Sequence, residues 1–550
     1  MATEVKEITK PTAEEYIERM QQYESDRSNW DSLYQECADY GLPGDNQITR
    51  SQSPGEKKLD TFQTEGENSI IQLASGLYSY MFPTDAKAFT LKIDDEEANE
   101  DDEVKQYLNK VTNTAHEHLV QSTFRQTFFE NLKSLGCFGS SNLYSEPGRT
   151  QSVNFVNFHM KDTFVDIDDD GVIDTIYRRF EYTARQAVKK FGKEKLGENV
   201  LKASEDNKQK SKKFKFIHIV EPREGVDGKN SDPLTMDFSS VYVCRDDKNI
   251  VAESGYPEMP YQITRFDRDA NEILGRSPMM KMLPDVKLLG QMNRVQIKAW
   301  EKMCDPPIVL PDDGSIWPLA TQPGGVIHKR QGGDDPVWFK FEGNLTGLQD
   351  AIEKITQKIK SGFFLDLFDV LIDRKNMTAT EVRARVEQQL RFLTPIIGRL
   401  QSELFNPMIH RVIGILGRAG KLPAMPESIS GKDYTIEYLG PLALAMKTLE
   451  TQGFVIAMEQ LKGFGEMERF EYLDNFNIDQ ISRDLSRNNG MPATWLKDIK
   501  VRDAERKERA KTLQLQQLME NVPGLSKALG DLGKKPEDGS ITQGIVNAAA

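Results

Sequence analysis

The sequence predicts an α+β fold that is predominantly α. Apolar residues recur every three or four positions through several long stretches. Strand-like alternation appears between Val153 and Arg179 and returns in short runs up to Arg265, and Gly and Pro residues such as Gly41, Pro83, Gly139 and Pro306 punctuate the transitions. At about 150 residues per domain, 550 residues imply three or four globular units. Lys and Arg number 71 against 85 Asp and Glu, a net charge of −14, so the chain as a whole is not an electrostatic clamp for nucleic acid. A mean hydropathy of −0.56 and the absence of any apolar run approaching ~20 residues argue against a membrane span. Met1 to Pro11 lacks the apolar core of a secretory signal, which argues against export. Cys37, Cys137, Cys244 and Cys304 lack paired spacing and read as small core residues in a reducing compartment.

Taken in order, Ala13 to Tyr40 reads as one amphipathic helix, with Tyr16, Met20, Tyr23, Trp30, Tyr34 and Cys37 at helical spacing. A second helix is expected from about Asn68 to Met81. The acidic block Asp94 to Glu103 reads as a solvated loop or helix start, with a docking surface as the alternative. Gln106 to Cys137 is helical in pattern and is closed by Gly136 and Gly139. Strands follow at Val153 to Phe158, Phe164 to Ile167 and Val172 to Ile176, with a turn at Asp170-Gly171. Asp166, Asp168, Asp170 and Gly171 imitate the start of a calcium loop, but the twelfth position is Tyr177 rather than a bidentate Glu, so a hairpin is the better reading. Lys189 to Lys215 looks like a helix and an exposed, lysine-rich connection. Further strands are expected at Phe214 to Val220, Val241 to Val243 and Tyr261 to Arg265.

Ser277-Pro278 is a helix start with a cap and a proline in the first turn. Leu283, Val286, Leu289, Met292, Val295, Ala299 and Met303 then form a stripe that ends at Asp305-Pro306-Pro307. From Pro284 to Met303 that helix is roughly 30 Å long. Pro306 to Gly347 is rich in Pro and Gly, with short apolar runs at Ile308 to Leu310 and Val337 to Phe341, and reads as a small β-rich excursion. Leu348, Ile352, Ile355, Ile359 and Phe363 then mark a second long helix, so the outline is a helical hairpin with a projecting tip. Thr378-Ala379-Thr380-Glu381 is a capping box that opens a third helix, expected to kink at Pro395 and Pro407. Much of the Leu348 to Phe363 stripe on a lone hairpin would be wet, which by itself predicts a closed oligomer in which neighbouring copies cover it.

The chain resembles the portal, or head-to-tail connecting, proteins of short-tailed bacteriophages. The resemblance rests on Gly275-Arg276-Ser277-Pro278, Leu283-Pro284-Asp285-Val286-Lys287, Asp305-Pro306-Pro307 and Met377-Thr378-Ala379-Thr380-Glu381-Val382, in that order. Weaker matches lie at Leu42-Pro43, Leu73-Ala74-Ser75-Gly76-Leu77 with Phe82-Pro83, and Gly136-Cys137-Phe138-Gly139. It covers most of residues 10 to 420 and thins out beyond. It implies a portal fold of wing, stem, clip and crown assembled as a ring of twelve copies at one capsid vertex, the conduit for double-stranded DNA packaging and ejection. It assigns residues 1–270 to a mixed α/β wing, 271–304 and 345–367 to the two stem helices and 305–344 to the clip. Residues 368–377 would be the tunnel loop, 378–440 the kinked wing helix with adjoining wing, and 441–550 a crown or barrel with a mobile tail. The implied partners are further copies of the chain, double-stranded DNA, terminase, tail adaptor proteins, and major capsid and scaffolding proteins, with no membrane and no cofactor. The implied location is the virion head-tail junction, after assembly in the host cytoplasm.

Within that frame Arg374, Lys375 and Asn376 in the loop, and Lys354 and Lys358 on the second stem helix, are candidates for the DNA channel. Their plainer reading is as surface residues in a subunit contact. Thr378 and Glu381 cap the helix beside the loop. Arg276 is a candidate inter-subunit contact, against the plainer reading of a turn and helix cap. No enzyme is expected. His116, His118, His159, His218, His328 and His410 show no metal spacing, Gly225-x-x-Gly228-Lys229 falls short of a phosphate loop, and Ser75 and Cys137 lack a recognisable base. A non-conducting head or tail adaptor is the alternative function. A DNA-binding module has only the Lys189 to Lys215 stretch in its support. In the C-terminal region Leu442 to Leu461, Met467 to Phe476 and Trp495 to Met519 look helical, and Asn488-Asn489-Gly490-Met491-Pro492 is a turn.

Overall fold

The computed structural model describes residues 11–50, 61–83, 87–95, 101–148, 151–206, 209–223, 232–306, 308–309, 337–338, 345–369, 393–429, 433–439, 478–488 and 499–521. They fall into two compact units, the first drawn from residues 1–90, 111–423 and 438–446 and the second from 91–110, 424–437 and 447–550.

The N-terminal apolar repeat folds as two helices, α1 (Ala13–Asp26) and α2 (Ser28–Gly41), where one was expected. The break is Arg27, whose backbone sits at φ −89°, ψ −1°. Its guanidinium is buried, donates to the carbonyls of Met160 (2.7 Å), Lys161 and Thr163, and lies 3.7 Å above the Phe164 ring. Residue spacing records an arginine as surface, so this anchor is invisible to periodicity. Helix α3 (Glu65–Met81) follows and stops before Pro83. The stretch between Gln106 and Cys137 is helical, as its pattern implied, and forms two helices, α4 (Asp102–Gln121) and α5 (Phe124–Phe138). At the junction the Thr123 hydroxyl donates to the Phe155 carbonyl at 2.9 Å and accepts from the Phe155 amide at 3.0 Å, fixing the chain to a strand instead of prolonging the helix.

Helix α5 ends in a left-handed Gly139 (φ +72°), and a Cβ there would strike the Gly275 carbonyl and the Arg276 backbone. The chain then enters a strand that the sequence reading did not foresee, β2 (Ser140–Pro147). It pairs antiparallel with β3 (Val153–Phe158) on one side and β9 (Tyr261–Arg265) on the other. Six consecutive residues of β2 are buried, so no alternation exists to be read, and several are polar. Several of these polar groups are bonded internally: Ser141 donates to Asn131 at 3.0 Å, Asn142 Nδ2 to Thr163 at 2.9 Å, and Ser140 accepts from the Gly275 amide at 2.8 Å, while Asn142 Oδ1 is buried without a partner among the described residues.

The larger sheet is an antiparallel meander of β4 (Thr163–Ile167), β5 (Ile173–Thr183), β6 (Lys213–Pro222), β7 (Phe238–Cys244) and β8 (Asn249–Tyr256). The segment that imitates a calcium loop is the β4–β5 hairpin. The Asp168 amide donates to the Val172 carbonyl at 2.9 Å and Gly171 supplies φ +78°. One face of the sheet packs Phe164, Tyr177, Ile217, Ile219, Val241 and Val243 under Tyr16, Ile17 and Met20 of α1. The opposite face packs Phe214, Phe216, Cys244 and Val251 under two short helices, α6 (Ala184–Phe191) and α7 (Glu198–Glu205), where one helix was expected. Strand β8 was not anticipated.

A polar knot sits inside this unit. Buried His218 stacks on Tyr242 with ring centroids 4.0 Å apart, its Nδ1 lies 2.6 Å from the Tyr261 hydroxyl and its Nε2 3.0 Å from the Ser240 hydroxyl. Arg178 Nε donates to the Tyr261 oxygen at 3.1 Å. The consistent assignment has Tyr261 donating to Nδ1 and Nε2–H donating to Ser240, which is neutral imidazole. Burial first, then the charges of Arg178 and Lys190, push the His218 pKa well below its ordinary value. Of the four cysteines, Cys37, Cys137 and Cys244 are buried as expected. Cys304 is exposed at the end of a helix that has left the core behind.

In the second unit Leu91–Ile93, the end of β1 (Phe89–Ile93), lies against β12 (Tyr434–Tyr438), and Lys92 pairs with Glu437 at 2.7 Å. A helix at Ile478–Asn488, unforeseen, is tied to Ile499–Asn521 through Asp479, which accepts from Arg506 at 2.6 Å and lies 3.2 Å from Arg502. The latter helix was expected from Trp495 to Met519. The turn expected after Asn488 and the helices expected at Leu442 to Leu461 and Met467 to Phe476 lie outside the described residues.

Two outcomes follow. Gly139→Ala strains a left-handed backbone and clashes with the Gly275 backbone, so it should lower unfolding stability by more than about 2 kcal/mol in urea denaturation. His218 is held neutral in the folded chain, whereas the unfolded chain takes up a proton as pH falls through about 6.5. The stability it contributes is present above that pH and is lost below it, by up to about 1.4 kcal/mol per pH unit. Stability measured from pH 7.5 to 5 should therefore fall more steeply for the native chain than for His218→Gln.

Candidate functional site

The helical hairpin is built on α8 (Pro278–Cys304). Its cap is also a weld, because the Ser277 hydroxyl accepts from the Met280 amide at 3.0 Å and donates to the Cys137 carbonyl at the end of α5 at 2.8 Å. Pro284 lies inside the helix without ending it. The first half of α8 buries Met279, Met282, Leu283, Val286 and Leu289, and Gly290 lets the Thr61 carbonyl approach to 2.6 Å of where a Cβ would stand. The second half runs out of cover. Val295, Ile297, Trp300 and Met303 are 56, 39, 45 and 51% exposed.

The excursion beyond it is described only at β10 (Ile308–Val309) and β11 (Val337–Trp338), which pair antiparallel, in keeping with the two apolar runs read from the sequence. The return helix α9 (Leu345–Gly362) packs against α8 and shows the same gradient. Leu348, Ile352 and Ile355 are half-buried, whereas Ile359 and Phe363 are buried. At Gly362 a Cβ would collide with Met282, so the helices meet closely at the base. The second stem helix, implied to run to Leu367, ends at Gly362, and the chain turns at Phe364 (φ +61°) into a short helix, α10 (Asp366–Asp369), whose Phe368 ring covers Gly76 and faces Tyr80 at 5.7 Å.

Lysines at the base of the hairpin are neutralised by carboxylates. Lys358 pairs with Asp285 at 2.8 Å, Lys287 with Glu36 at 2.7 Å, and Lys360 with Glu65 at 3.8 Å. Lys354 is exposed and has no ion pair among the described residues. Arg276 is held within the chain: it pairs with Glu272 and, at 3.8 Å, with Asp269, and stacks 4.6 Å over the Trp30 ring. The Glu272 hydrogen bonds raise its pKa further. Arg374, Lys375, Asn376, Thr378 and Glu381 lie outside the described residues. Sequence reasoning missed the carboxylate partners. Asp285 was visible inside Leu283-Pro284-Asp285-Val286-Lys287, and only the fold brings it opposite Lys358.

Farther along the chain, residues 393–400 are helical, Gln401–Phe405 form a π turn, and α11 (Asn406–Arg418) carries Pro407 in its first turn. The irregularity expected near Pro407 is thus the π turn just before it. It presents Glu403 to Arg265, whose amide, Nε and Nη2 donate to the carboxylate at 2.8, 3.0 and 2.7 Å. This clamp, at the end of β9 that leads to α8, left no signal in the sequence.

Neither of the buried cysteines Cys37 and Cys137 is prepared as a nucleophile. Burial pushes the Cys37 thiol up to about 12 and the Cys137 thiol well above its ordinary range. Among the described residues no three His, Cys, Asp or Glu side chains gather as metal ligands, and no helix is long and apolar enough to cross a membrane.

Comparison with known proteins places these features in a context. A family described as bacteriophage head to tail connecting protein matches residues 13–496. A protein named portal protein from Salmonella phage epsilon15 is 26% identical over 551 aligned positions, covering 98% of each chain. A probable portal protein from Bordetella phage BPP-1 is 28% identical over 476, covering 84% of this chain and 85% of its own.

The intramolecular setting of Arg276 has a measurable consequence. With its side chain 41% exposed, Arg276→Ala should cost at most about 1 kcal/mol in urea denaturation, and less as salt is raised.

Proposed function

The chain belongs to the bacteriophage head to tail connecting proteins, and we propose that it assembles as a closed ring, of about twelve copies, that conducts double-stranded DNA through a capsid vertex. The observation that carries this reading is the gradient along the hairpin, dry at its base and wet toward its tip. Fully burying a side chain such as Val, Ile or Met contributes about 1.5–3 kcal/mol, so covering the half-exposed Val295, Ile297, Trp300 and Met303 would yield about 3–6 kcal/mol per interface. That is comparable with the lower range of association costs, and a ring closes every such interface at once.

The chemistry suits passage. Each phosphate contact by an unpaired cation adds affinity and hence drag, and the base of the hairpin keeps Lys358, Lys287 and Lys360 matched to carboxylates. In this reading residues 271–304 and 345–367 are the stem, 305–344 the clip, and 368–377 the loop that meets DNA through Arg374, Lys375 and Asn376, with Lys354 as a weaker channel candidate. Residues 1–270 and 378–440 form the wing and 441–550 the crown. Terminase, tail adaptor, capsid and scaffolding proteins are the docking partners at a head-tail junction assembled in the host cytoplasm.

The test is negative-stain microscopy with mass measurement on the purified chain. Annular particles of about twelve copies with a central hole support the reading; a stable monomer across salt and magnesium, or a ring with no opening, overturns it. Trp300→Glu should disperse the particles while leaving the monomer's far-UV spectrum intact. Deleting Asp369 to Asn376 should leave ring assembly intact and impair DNA packaging or retention.

A further inference from the structure

We propose that the cationic face of α6 and the connections around it are a seat for the phosphate backbone of duplex DNA, independent of base sequence and separate from the helical hairpin. Residues 184–215 hold eleven Lys and Arg against four Asp and Glu, a local charge of +7 in a chain whose total is −14. Arg185 and Lys189 lie one turn apart on the exposed side of α6. Lys193 and Lys195 follow it, and the Lys212 carbonyl accepts from the Ala184 amide at 3.1 Å, which brings that lysine to the start of α6. All five side chains are exposed and none has an ion pair among the described residues.

Other cations nearby are already engaged. Lys202 pairs with Glu198 at 2.9 Å, Lys213 with Glu181 at 3.3 Å, and Lys190 donates to the Tyr182 hydroxyl at 3.2 Å while lying 4.7 Å from the Tyr242 ring centroid. The helix dipole accounts for cations in the last turn of α6, such as Lys189, but not for Arg185 in its first.

Charge alone would admit either a nucleic acid or an acidic protein. The apolar surface decides between them. Ala187, Leu196, Val200 and Ala203 are all turned onto the sheet, and no large hydrophobic between 184 and 215 is exposed. Stable protein interfaces need buried apolar or aromatic anchors at their centre, which this face lacks. A phosphate backbone requires only accessible point charges, which is what these exposed side chains provide. The proposal goes beyond the conduit reading and does not depend on it, since the contact exists on a dispersed chain.

The experiment is fluorescence anisotropy with the full-length chain and a labelled duplex of arbitrary sequence. Neutralising about four phosphates predicts that raising salt from about 50 to about 200 mM weakens binding roughly a hundredfold. The K189E/K193E/K195E variant should bind at least about tenfold more weakly at the lower salt, with a shallower salt slope, and Lys110→Glu, which reverses an exposed charge outside residues 184–215, should bind as the native chain does. The triple variant changes only exposed side chains, and a far-UV thermal melt coincident with the native one verifies its fold. The proposal is overturned if the native chain shows no binding at the lower salt, if the triple variant matches it, or if poly-glutamate displaces the duplex as readily per charge. Ring formation by the variant, scored separately by microscopy, tests the conduit reading and leaves this one untouched.

Discussion

The constraint on which the rest of the structure depends is the junction of two glycine backbones, Gly139 and Gly275. Each blocks the position where a Cβ of the other would stand, and the Gly139 carbonyl accepts from the Phe266 amide at 2.8 Å. Around this point converge the end of α5, the start of β2, the end of β9 and the cap of α8. Ser277 bonds the Cys137 carbonyl, Ser140 receives the Gly275 amide, and Asp267 bridges to Arg276. A side chain at either glycine would separate the strand from the helix, and the hairpin would lose its fixed origin. The direction of α8 is therefore set by backbone contact, before any apolar packing along its length.

From that origin the hairpin is stabilised unevenly. Near the base, packing against α3 and the close passage at Gly362 leave little room, and Lys287, Lys358 and Lys360 each find a carboxylate. Farther out the two helices cover one another on one side, and Val295, Ile297, Trp300 and Met303 of α8 are exposed among the described residues. A two-helix hairpin supported at one end is a marginal structure by itself, since two short faces bury too little surface to offset the ordering of both chains. In the ring proposed above, neighbouring copies would supply the missing wall.

The sequence was legible wherever one face of an element was apolar and the other polar. The start and end of α8, the turn of the β4–β5 hairpin, the return helix α9 and the two short apolar runs at the tip could all be read from spacing and breakers. Legibility failed where polar residues were buried. Strand β2 has no alternation because both its faces are covered, and its serines and asparagine look like loop. Arg27 ends α1 by reaching three backbone carbonyls, and Thr123 ends α4 by bonding Phe155; both residues look like surface in a linear text. Of the proposed channel residues, the fold accounts for Lys358 through Asp285, a partner 73 positions away in sequence that no local pattern could indicate. Arg276 was a candidate for a contact between copies, and the fold gives it Glu272 and Trp30 within one chain.

These failures share a cause that bears on how the chain works. The first unit is bound together by buried arginines that donate to carbonyls and carboxylates at long range: Arg27 to the turn before β4, Arg265 to Glu403 on the π turn, and Arg411 to the Ser145 carbonyl at 3.0 Å and the Glu258 carbonyl at 2.8 Å. Such links are directional where apolar contact is not, and removing one partner leaves a buried charge that is costly to strand. If copies of the chain close into a ring, as proposed above, assembly cannot be what finishes folding the base of the hairpin. The base would have to hold its geometry beforehand, because such a ring closes only if every copy presents its hairpin at the same angle. Arginine bonds fixed to backbone carbonyls, set around a glycine junction that tolerates no displacement, supply that angular definition in the single chain.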